Sequence, residues 1–354
     1  MSTYYDGTKL LSLLDINGKQ PEIYMCTTNR SAGKTTYFNR YCVNKFLKSK
    51  KKFCLVYRYN YELDDITQKF FKDIQQLFFN EYEMRDERQA NGIYHELFIG
   101  KKDEMSAKDG GLSCGYAVSL NNADMLKKYS HLMSDVEVML FDEFQSETNH
   151  YCAGEIRKLI SIHTSIARGR GKHVRYVPLI MLSNAVSLIN PYYVEFGISD
   201  RLKDDTKFLR GDGWVLESGF IETASRAQKE SAFNRAFASN EYVQYSSENV
   251  YLNDSTAFIE KPTGKSRYLC TLRYNGKDYA VREFAHSGVI YVDDKPDETF
   301  PSKLSVTTED HNVNYVMLKR NEMFVSSLRY FFERGCFRFK NLQCKSALLK
   351  AISY

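Results

Sequence analysis

Thr27-Thr28-Asn29-Arg30-Ser31-Ala32-Gly33-Lys34-Thr35-Thr36 is the stretch that decides how this chain is read. It has the outline of a phosphate-binding loop, G-x-x-x-x-G-K-[ST]. In such loops backbone amides cradle phosphates, the lysine reaches the terminal phosphates and the hydroxyl binds Mg²⁺. Two residues depart from the outline. Thr28 stands at the first glycine position, where a β-branched side chain is expected to restrict the turn and weaken nucleotide binding. Arg30 stands inside the loop, where it adds a positive charge beside the γ-phosphate. The flanks suit the motif: Glu22-Ile23-Tyr24-Met25-Cys26 predicts a buried strand, and Thr36 to Tyr41 can open a helix.

The surrounding chain is that of a globular protein. Its 354 residues allow two domains or one large one, and 43% hydrophobic and 14% aromatic residues supply packed cores. The longest strongly apolar run, Val177 to Leu182, is too short to span a bilayer, so no membrane association is expected. The N-terminus lacks the basic and apolar regions of a secretory signal. Eight cysteines without CxxC pairs or matching histidine spacing argue against a zinc site or a disulfide framework and point to a reducing cytoplasm. A net charge of +5 permits a polyanionic partner without requiring one.

Helix-like and strand-like segments alternate over residues 1–205. Phe53 to Tyr59, Val136 to Phe141 and Val177 to Leu182 read as strands, and Ile66 to Phe79 as a helix, which predicts a mostly parallel α/β sheet. Residues 206–249, centred on the polar stretch Glu222 to Arg235 between glycines, read as a helical linker subdomain. From residue 250 the pattern turns β-rich, with Asn275-Gly276 between two strand-like runs as a hairpin signal. The end, Tyr315 to Tyr354, reads as helical.

Three further motifs fall in order behind the loop. Val138-Met139-Leu140-Phe141 is an apolar strand ending in Asp142 and Glu143. In nucleotide hydrolases the first acid coordinates Mg²⁺ and the second activates the attacking water, whose proton must be taken as the phosphoryl group departs. The separation of loop and acids leaves room for an added strand, Phe53 to Tyr59, between them. Ser183-Asn184-Ala185 ends another strand, where Asn184 can hold the attacking water and sense the γ-phosphate. Glu155 to Ile166 is an amphipathic helix with Ile156, Leu159, Ile160, His163 and Ile166 as its apolar face, running into Arg168-Gly169-Arg170-Gly171-Lys172. That basic turn suits either an arginine finger acting on a neighbouring subunit or contact with nucleic-acid phosphates.

The loop with its internal arginine resembles that of phage terminase large subunits. Phe141-Asp142-Glu143-Phe144, Leu182-Ser183-Asn184-Ala185-Val186, Asn190-Pro191-Tyr192, Phe258-Ile259-Glu260-Lys261, Tyr274-Asn275-Gly276 and Gly335-Cys336-Phe337-Arg338-Phe339 together resemble the genome-packaging ATPases of small protein-primed podophages, the phi-twenty-nine type. The similarity runs in order through nearly the whole chain. It implies a P-loop ATPase domain of the added-strand, catalytic-glutamate (ASCE) class over residues 1–205, a linker subdomain over 206–249, and over 250–354 an α+β RNase H-like domain that has lost nuclease chemistry. It also implies a pentameric homo-oligomeric ring at the portal of a procapsid, driving double-stranded DNA inward with ATP and Mg²⁺ in a complex that includes a packaging RNA. The expected place is the host cytoplasm, transiently on the procapsid and absent from the mature virion.

By position, the resemblance implies that Asn29, Arg30, Ser31, Ala32, Gly33, Lys34, Thr35 and Thr36 bind nucleotide, and that Thr35 and Asp142 hold Mg²⁺. Glu143 would be the catalytic carboxylate, with Arg30 and Asn184 assisting. Arg168, then Arg170, is the expected trans-acting finger, and Lys128 the candidate trans-acting lysine. Arg58 follows the second strand as a basic residue does in the family. The tail from Met317 carries eight Lys/Arg against two acids, interleaved with aromatics, so Lys319, Arg320, Arg334, Arg338 and Lys340 are the expected nucleic-acid contacts. In the β-rich part only Asp293 and Asp294 end a strand, without partners in the positions a two-metal nuclease needs. A nucleotide-gated nucleic-acid-binding scaffold without motor activity is the competing expectation, motivated by Thr28 and the basic tail.

Overall fold

The computed structural model describes residues 4–105, 110–148, 150–169, 171, 173–199, 201–202, 206–238, 240, 243 and 258–352. The chain divides into two compact units, Met1–Phe196 with Arg201–Asn253, and Gly197–Asp200 with Asp254–Tyr354.

Among the described residues, nine strands form one sheet in the first unit: β1 (Ile23–Thr28), β2 (Lys52–Tyr57), β3 (Tyr82–Gln89), β4 (Tyr94–Lys101), β5 (Leu112–Ser119), β6 (Val136–Phe141), β7 (Leu179–Asn184), β8 (Phe208–Gly211) and β9 (Trp214–Ser218). Their order across the sheet is β3-β4-β5-β2-β6-β7-β1-β9-β8. The run from β5 to β9 is parallel, while β3, β4 and β8 pair antiparallel at the two edges. The central strands are short continuous apolar runs, as strands covered on both faces must be. Met25, Phe53, Val138 and Met181 are fully buried there.

Four expectations change at this level. The strand lying between β1 and β6 is β7, and β2 sits on the far side of β6. The segment 206–249 does not stand apart from the sheet, because β8 and β9 are two of its strands and β9 pairs directly with β1. Ile66 to Phe79 forms two short helices, Ile66–Phe70 and Lys72–Phe78, broken at Phe71. The Glu155–Ile166 helix buries Leu159, Ile162 and Ile166, and leaves Ile160 exposed.

The second unit holds a six-stranded sheet among its described residues, ordered β14-β13-β10-β11-β12-β15. Its strands are β10 (Arg267–Tyr274), β11 (Lys277–Phe284), β12 (Val289–Asp293), β13 (Lys303–Ser305), β14 (Val316–Met317) and β15 (Phe337–Phe339). β10, β11 and β12 form an antiparallel meander, while β13 joins β10, β14 joins β13 and β15 joins β12 in parallel. Asn275 and Gly276 turn the β10–β11 hairpin with positive φ at both residues, 51° and 73°, the geometry that two-residue hairpin turns demand. Two helices, Glu322–Glu333 and Leu342–Ile352, close the chain with β15 between them. No helix among the described residues is long and apolar enough to cross a membrane.

Candidate functional site

The site forms where β1, β7 and β6 end on the same edge of the sheet. Thr28 is the last residue of β1, fully buried and in register with Asn184 of β7. Its hydroxyl donates to the Asn29 carbonyl at 3.0 Å. The turn begins only after it, with positive φ at Ser31 (58°) and Gly33 (92°). Thr28 therefore occupies extended backbone, which favours a β-branched residue. The expected restriction of the turn at this position is not present. Gly33 is the position that needs glycine, since its left-handed φ starts the Lys34–Ser49 helix with no side-chain cap. The helix start thus turns uncapped amides and the positive end of its dipole toward the cleft, two features that favour anions. Ala32 is buried, and its carbonyl accepts from the Tyr5 amide at 2.8 Å. Thr36 is half-buried in the first helical turn, which begins two residues earlier than the sequence suggests.

Lys34 is almost completely buried, and its ammonium donates to Oδ1 of Asn184 at 2.6 Å. Burial pulls its pKa below the ordinary lysine value, while the negative charge of Asp142 pulls it up. Asp142 follows β6 and accepts from the Thr35 hydroxyl and, at 2.9 Å, from the Glu143 amide. Desolvation raises its pKa, with Lys34 the largest opposing influence. Glu143 has a positive φ of 56°, uncommon for a residue with a side chain. Its carboxyl is pushed above the ordinary range by desolvation first and by the charge of Asp142 second. Lys34, Thr35, Asp142, Glu143 and Asn184 line one cavity of about 570 Å³. The residues expected to handle phosphate, metal and water are thus brought together.

Arg30 lines the same cavity. Its guanidinium donates to Glu147 at 2.6 Å on the rim of the cavity, with both side chains about one-third exposed. The arginine is held by an acid of the same loop that follows Glu143.

A buried frame, illegible in the sequence, fixes the Asp142–Glu143 turn. Arg58 forms an ion pair with Glu155 at 3.0 Å, both side chains at most 6% exposed. Arg58 also donates to the carbonyls of Glu143 (3.3 Å) and Phe144 (2.7 Å). Glu155 is completed by the Tyr192 hydroxyl at 2.7 Å and the Cys152 amide at 2.8 Å. Gln145 joins this turn to the end of β7, its Oε1 accepting from the amides of Val186 (3.1 Å) and Ser187 (3.0 Å). Only Arg58 had a signal, its place after the second strand. Glu155 and Gln145 carry no periodicity that would single them out.

The other wall of the site comes from residues after β9. Asn29 exchanges two hydrogen bonds with the backbone of Ile221, at 2.9 and 3.2 Å. Gln228, on the Glu222–Glu230 helix, donates to the Ser31 hydroxyl at 2.9 Å. The segment expected as a linker therefore clips the loop from above.

The trans-acting candidates lie away from the cavity lining. Arg168 is exposed just beyond the Glu155–Ile166 helix. Eleven further helical residues, about 17 Å of rise, separate it from Glu155. The loop that carries it is pinned by buried Arg175, which donates to the carbonyls of Ile166 (2.8 Å), Val136 (3.0 Å) and Arg168 (3.4 Å). Lys128 is exposed after the Ala123–Leu126 helix, which packs on the Glu155–Ile166 helix. Arg170 lies outside the described residues.

In the second unit the basic tail is partly neutralised. Arg338 pairs with Glu260 at 3.3 Å and donates to the carbonyls of Gly335 and Phe337. Lys340 pairs with Asp294 at 2.6 Å. Each of the two is paired with a carboxylate, and Lys340 remains exposed. Lys319, Arg320 and Arg334 are exposed, with Arg334 stacked 3.5 Å above the Tyr330 ring. Asp293 is bound by Arg282 at 2.9 Å.

This geometry can be set beside known proteins. The DNA packaging protein of Bacillus phage phi29 is 28% identical over 344 residues, covering 96% of this chain and 94% of its own. That of Bacillus phage B103 is 27% identical over 331 residues, covering 92% and 93%. The solved bacteriophage Phi-29 viral genome packaging motor assembly contains a chain that superposes with a TM-score of 0.67 at 25% identity, covering 100% of this chain and 98% of that one. The family of podovirus DNA encapsidation proteins (Gp16) matches residues 1–352. With its loop, acidic strand and the Asn184 end of β7 in the places described, the chain belongs to that podovirus DNA encapsidation protein family.

Proposed function

We propose that this protein is the ATP-hydrolysing subunit of a motor that moves double-stranded viral DNA into a procapsid. The observation that carries it is the convergence of Lys34, Asn184, Asp142 and Glu143 on adjacent strand ends in one cavity. Loop amides and Lys34 bind the β- and γ-phosphates, with the helix start supplying further positive potential. Asp142 and the Thr35 hydroxyl are hard oxygen donors already in contact. That donor set fits Mg²⁺. Asp142 and Thr35 would hold the ion there, and it would supply positive charge against the negative charge of the phosphates. Glu143 accepts the proton of the attacking water, a role its raised pKa suits at neutral pH. Asn184, released by Lys34 when phosphate arrives, is placed to orient that water.

The alternative of a passive scaffold loses one of its two grounds, since Thr28 lies in the strand and not in the turn. The family relationship supports a homo-oligomeric ring, a pentamer, on the portal together with a packaging RNA, working in the host cytoplasm and absent from the mature virion. In that ring Arg168, with Arg170 and Lys128 as neighbouring candidates, reaches the site of the next subunit. Its distance from its own cavity supports action in trans. The antiparallel meander β10–β11–β12, with β13 and β14 added in parallel beside β10, supports an RNase H-like second domain. Its role would be grip on nucleic acid through Lys319, Arg320 and Arg334, because Asp293 and Asp294 are taken by Arg282 and Lys340. ATP hydrolysis measured with and without double-stranded DNA, in wild type and Lys34→Ala, tests the proposal. DNA-stimulated hydrolysis abolished by the substitution supports it, and hydrolysis indifferent to Lys34 contradicts it.

A further inference from the structure

The floor of the cavity accounts for phosphates, metal and water, but its outer wall has a different chemistry. Phe233 and Phe237 line the same cavity as Lys34 and Asp142. They are 74% and 51% exposed. Their ring centroids are 5.1 Å apart at 46°. Two large apolar side chains left open to water cost free energy unless something covers them. Here Phe233 sits within the otherwise polar stretch Glu222 to Arg235, and Phe237 follows two residues after it.

Their attachment makes the wall part of the loop's own apparatus. The Phe233 side chain stands on the Ala232–Ala236 helix, and Phe237 ends it. Asn234 of that helix donates to both the carbonyl (2.9 Å) and the side-chain oxygen (2.8 Å) of Gln228. Gln228 in turn donates to Ser31 within the loop. A chain of three side chains thus fixes the aromatic pair relative to the phosphate-binding amides.

From this we infer that Phe233 and Phe237 form the base platform of the nucleotide site, the purine stacking on their outer face while the phosphates lie on the loop. The inference rests on the nucleotide-binding role proposed above for Lys34 and the loop. A base slotted between two rings holds them about 7 Å apart, twice a carbon–carbon contact distance. At 5.1 Å the two phenylalanines already touch, so the base lies against the pair and not inside it. Phenyl rings offer a π-face and no hydrogen bond, so the platform reads the flat face of the base and not its edge. Phe233 and Phe237 are therefore positioning residues for the base, and the reacting phosphate is out of their reach.

The test compares two ligands that share the phosphates and differ in the base. Affinities of the β,γ-imido analogue of ATP and of inorganic tripolyphosphate, each with Mg²⁺, are measured by calorimetry. The full-length proteins are wild type, Phe233→Ala, Phe237→Ala, Phe233→Tyr and Lys34→Ala. The expected result is a loss of about tenfold for the ATP analogue in each alanine variant, the scale of base–aromatic stacking, with tripolyphosphate unchanged. Phe233→Tyr, which keeps the π-face, restores the affinity. Equal affinity of the ATP analogue in wild type and both alanine variants would overturn the inference. So would a parallel loss of both ligands, which marks a merely structural role. Lys34→Ala is expected to lose both ligands; if it keeps both, the phosphate assignment fails independently of the platform.

Discussion

The ammonium of Lys34 lies 2.6 Å from Oδ1 of Asn184, so the loop lysine and the residue at the end of β7 are bonded to each other across two adjacent strands. Phosphate arriving on the loop competes for that ammonium. Beyond the end of β7, the amides of Val186 and Ser187 continue the contacts through Gln145 to the turn that carries Glu143. Three short contacts thus join the loop lysine to the turn that carries Glu143.

Asn184→Ala cuts this path at its first step. Hydrolysis is expected to fall roughly tenfold to a hundredfold, the scale of one lost positioning group in proton-transfer chemistry. Nucleotide affinity should stay within a few-fold of wild type, because Lys34 is freed and not removed. Steady-state kinetics beside equilibrium binding separates the two effects.

Glu143→Gln should keep nucleotide binding and lower hydrolysis by roughly 10² to 10⁴. The wild-type pH profile carries a further signature. Desolvation and Asp142 hold the Glu143 carboxyl above its ordinary value, and only the ionised form accepts a proton. Activity is therefore lost, as pH falls, at a higher pH than an unperturbed glutamate would give. An acid limb at or below the ordinary carboxylate range would contradict that assignment.

Arg58 and Glu155 make a buried pair whose guanidinium also holds the Glu143 and Phe144 carbonyls. Removing one partner leaves a buried charge uncompensated. Arg58→Ala is expected to cost about 3–5 kcal/mol of stability, read by chemical denaturation. Arg58→Lys should recover only part of it, since an ammonium cannot reproduce the forked contacts.

On the second unit, Arg320→Ala and Arg334→Ala should weaken DNA binding evenly across sequences, each lowering the salt slope of affinity by about 1. Arg338→Ala should act chiefly on stability, because its side chain is already committed to Glu260 and to backbone carbonyls. Filter binding over a salt series distinguishes these outcomes.

Mixing Arg168→Ala with Glu143→Gln subunits examines the trans arrangement. Each variant alone should hydrolyse poorly, and mixtures should recover part of the activity, because each supplies what the other lacks. Absence of recovery at every ratio, with both variants folded and assembled, would count against Arg168 acting on a neighbour.

Much of the site is legible in the sequence because its parts sit on buried strands. Val138 to Phe141 is apolar up to the point where two acids begin, and the strand ends where the acids do. The same holds for β7 and Asn184. The edge of the sheet is silent by comparison. β3 reads Tyr-Glu-Met-Arg-Asp-Glu-Arg-Gln, with neither an apolar run nor clean alternation, because none of its side chains is fully buried. The residues that hold the site in place are equally silent. Glu155 looks like an ordinary acid opening a helix until Arg58, almost a hundred positions earlier, is seen against it. The Ser31–Gln228 and Asn29–Ile221 contacts join positions nearly two hundred residues apart, and hydrophobic periodicity carries no trace of them. Thr28 was misread for a related reason: the motif assigns it to the turn, whereas its backbone is still in the strand.

Hydrolysis at Lys34 and Glu143 is expected to drive movement along DNA. The most direct measurement is displacement of a bound third strand from double-stranded DNA by assembled motor on procapsids, with ATP, in wild type and Glu143→Gln. Wild type is expected to give ATP-dependent displacement and Glu143→Gln none, although both bind DNA. Displacement that proceeds without ATP, or equally in Glu143→Gln, would contradict it.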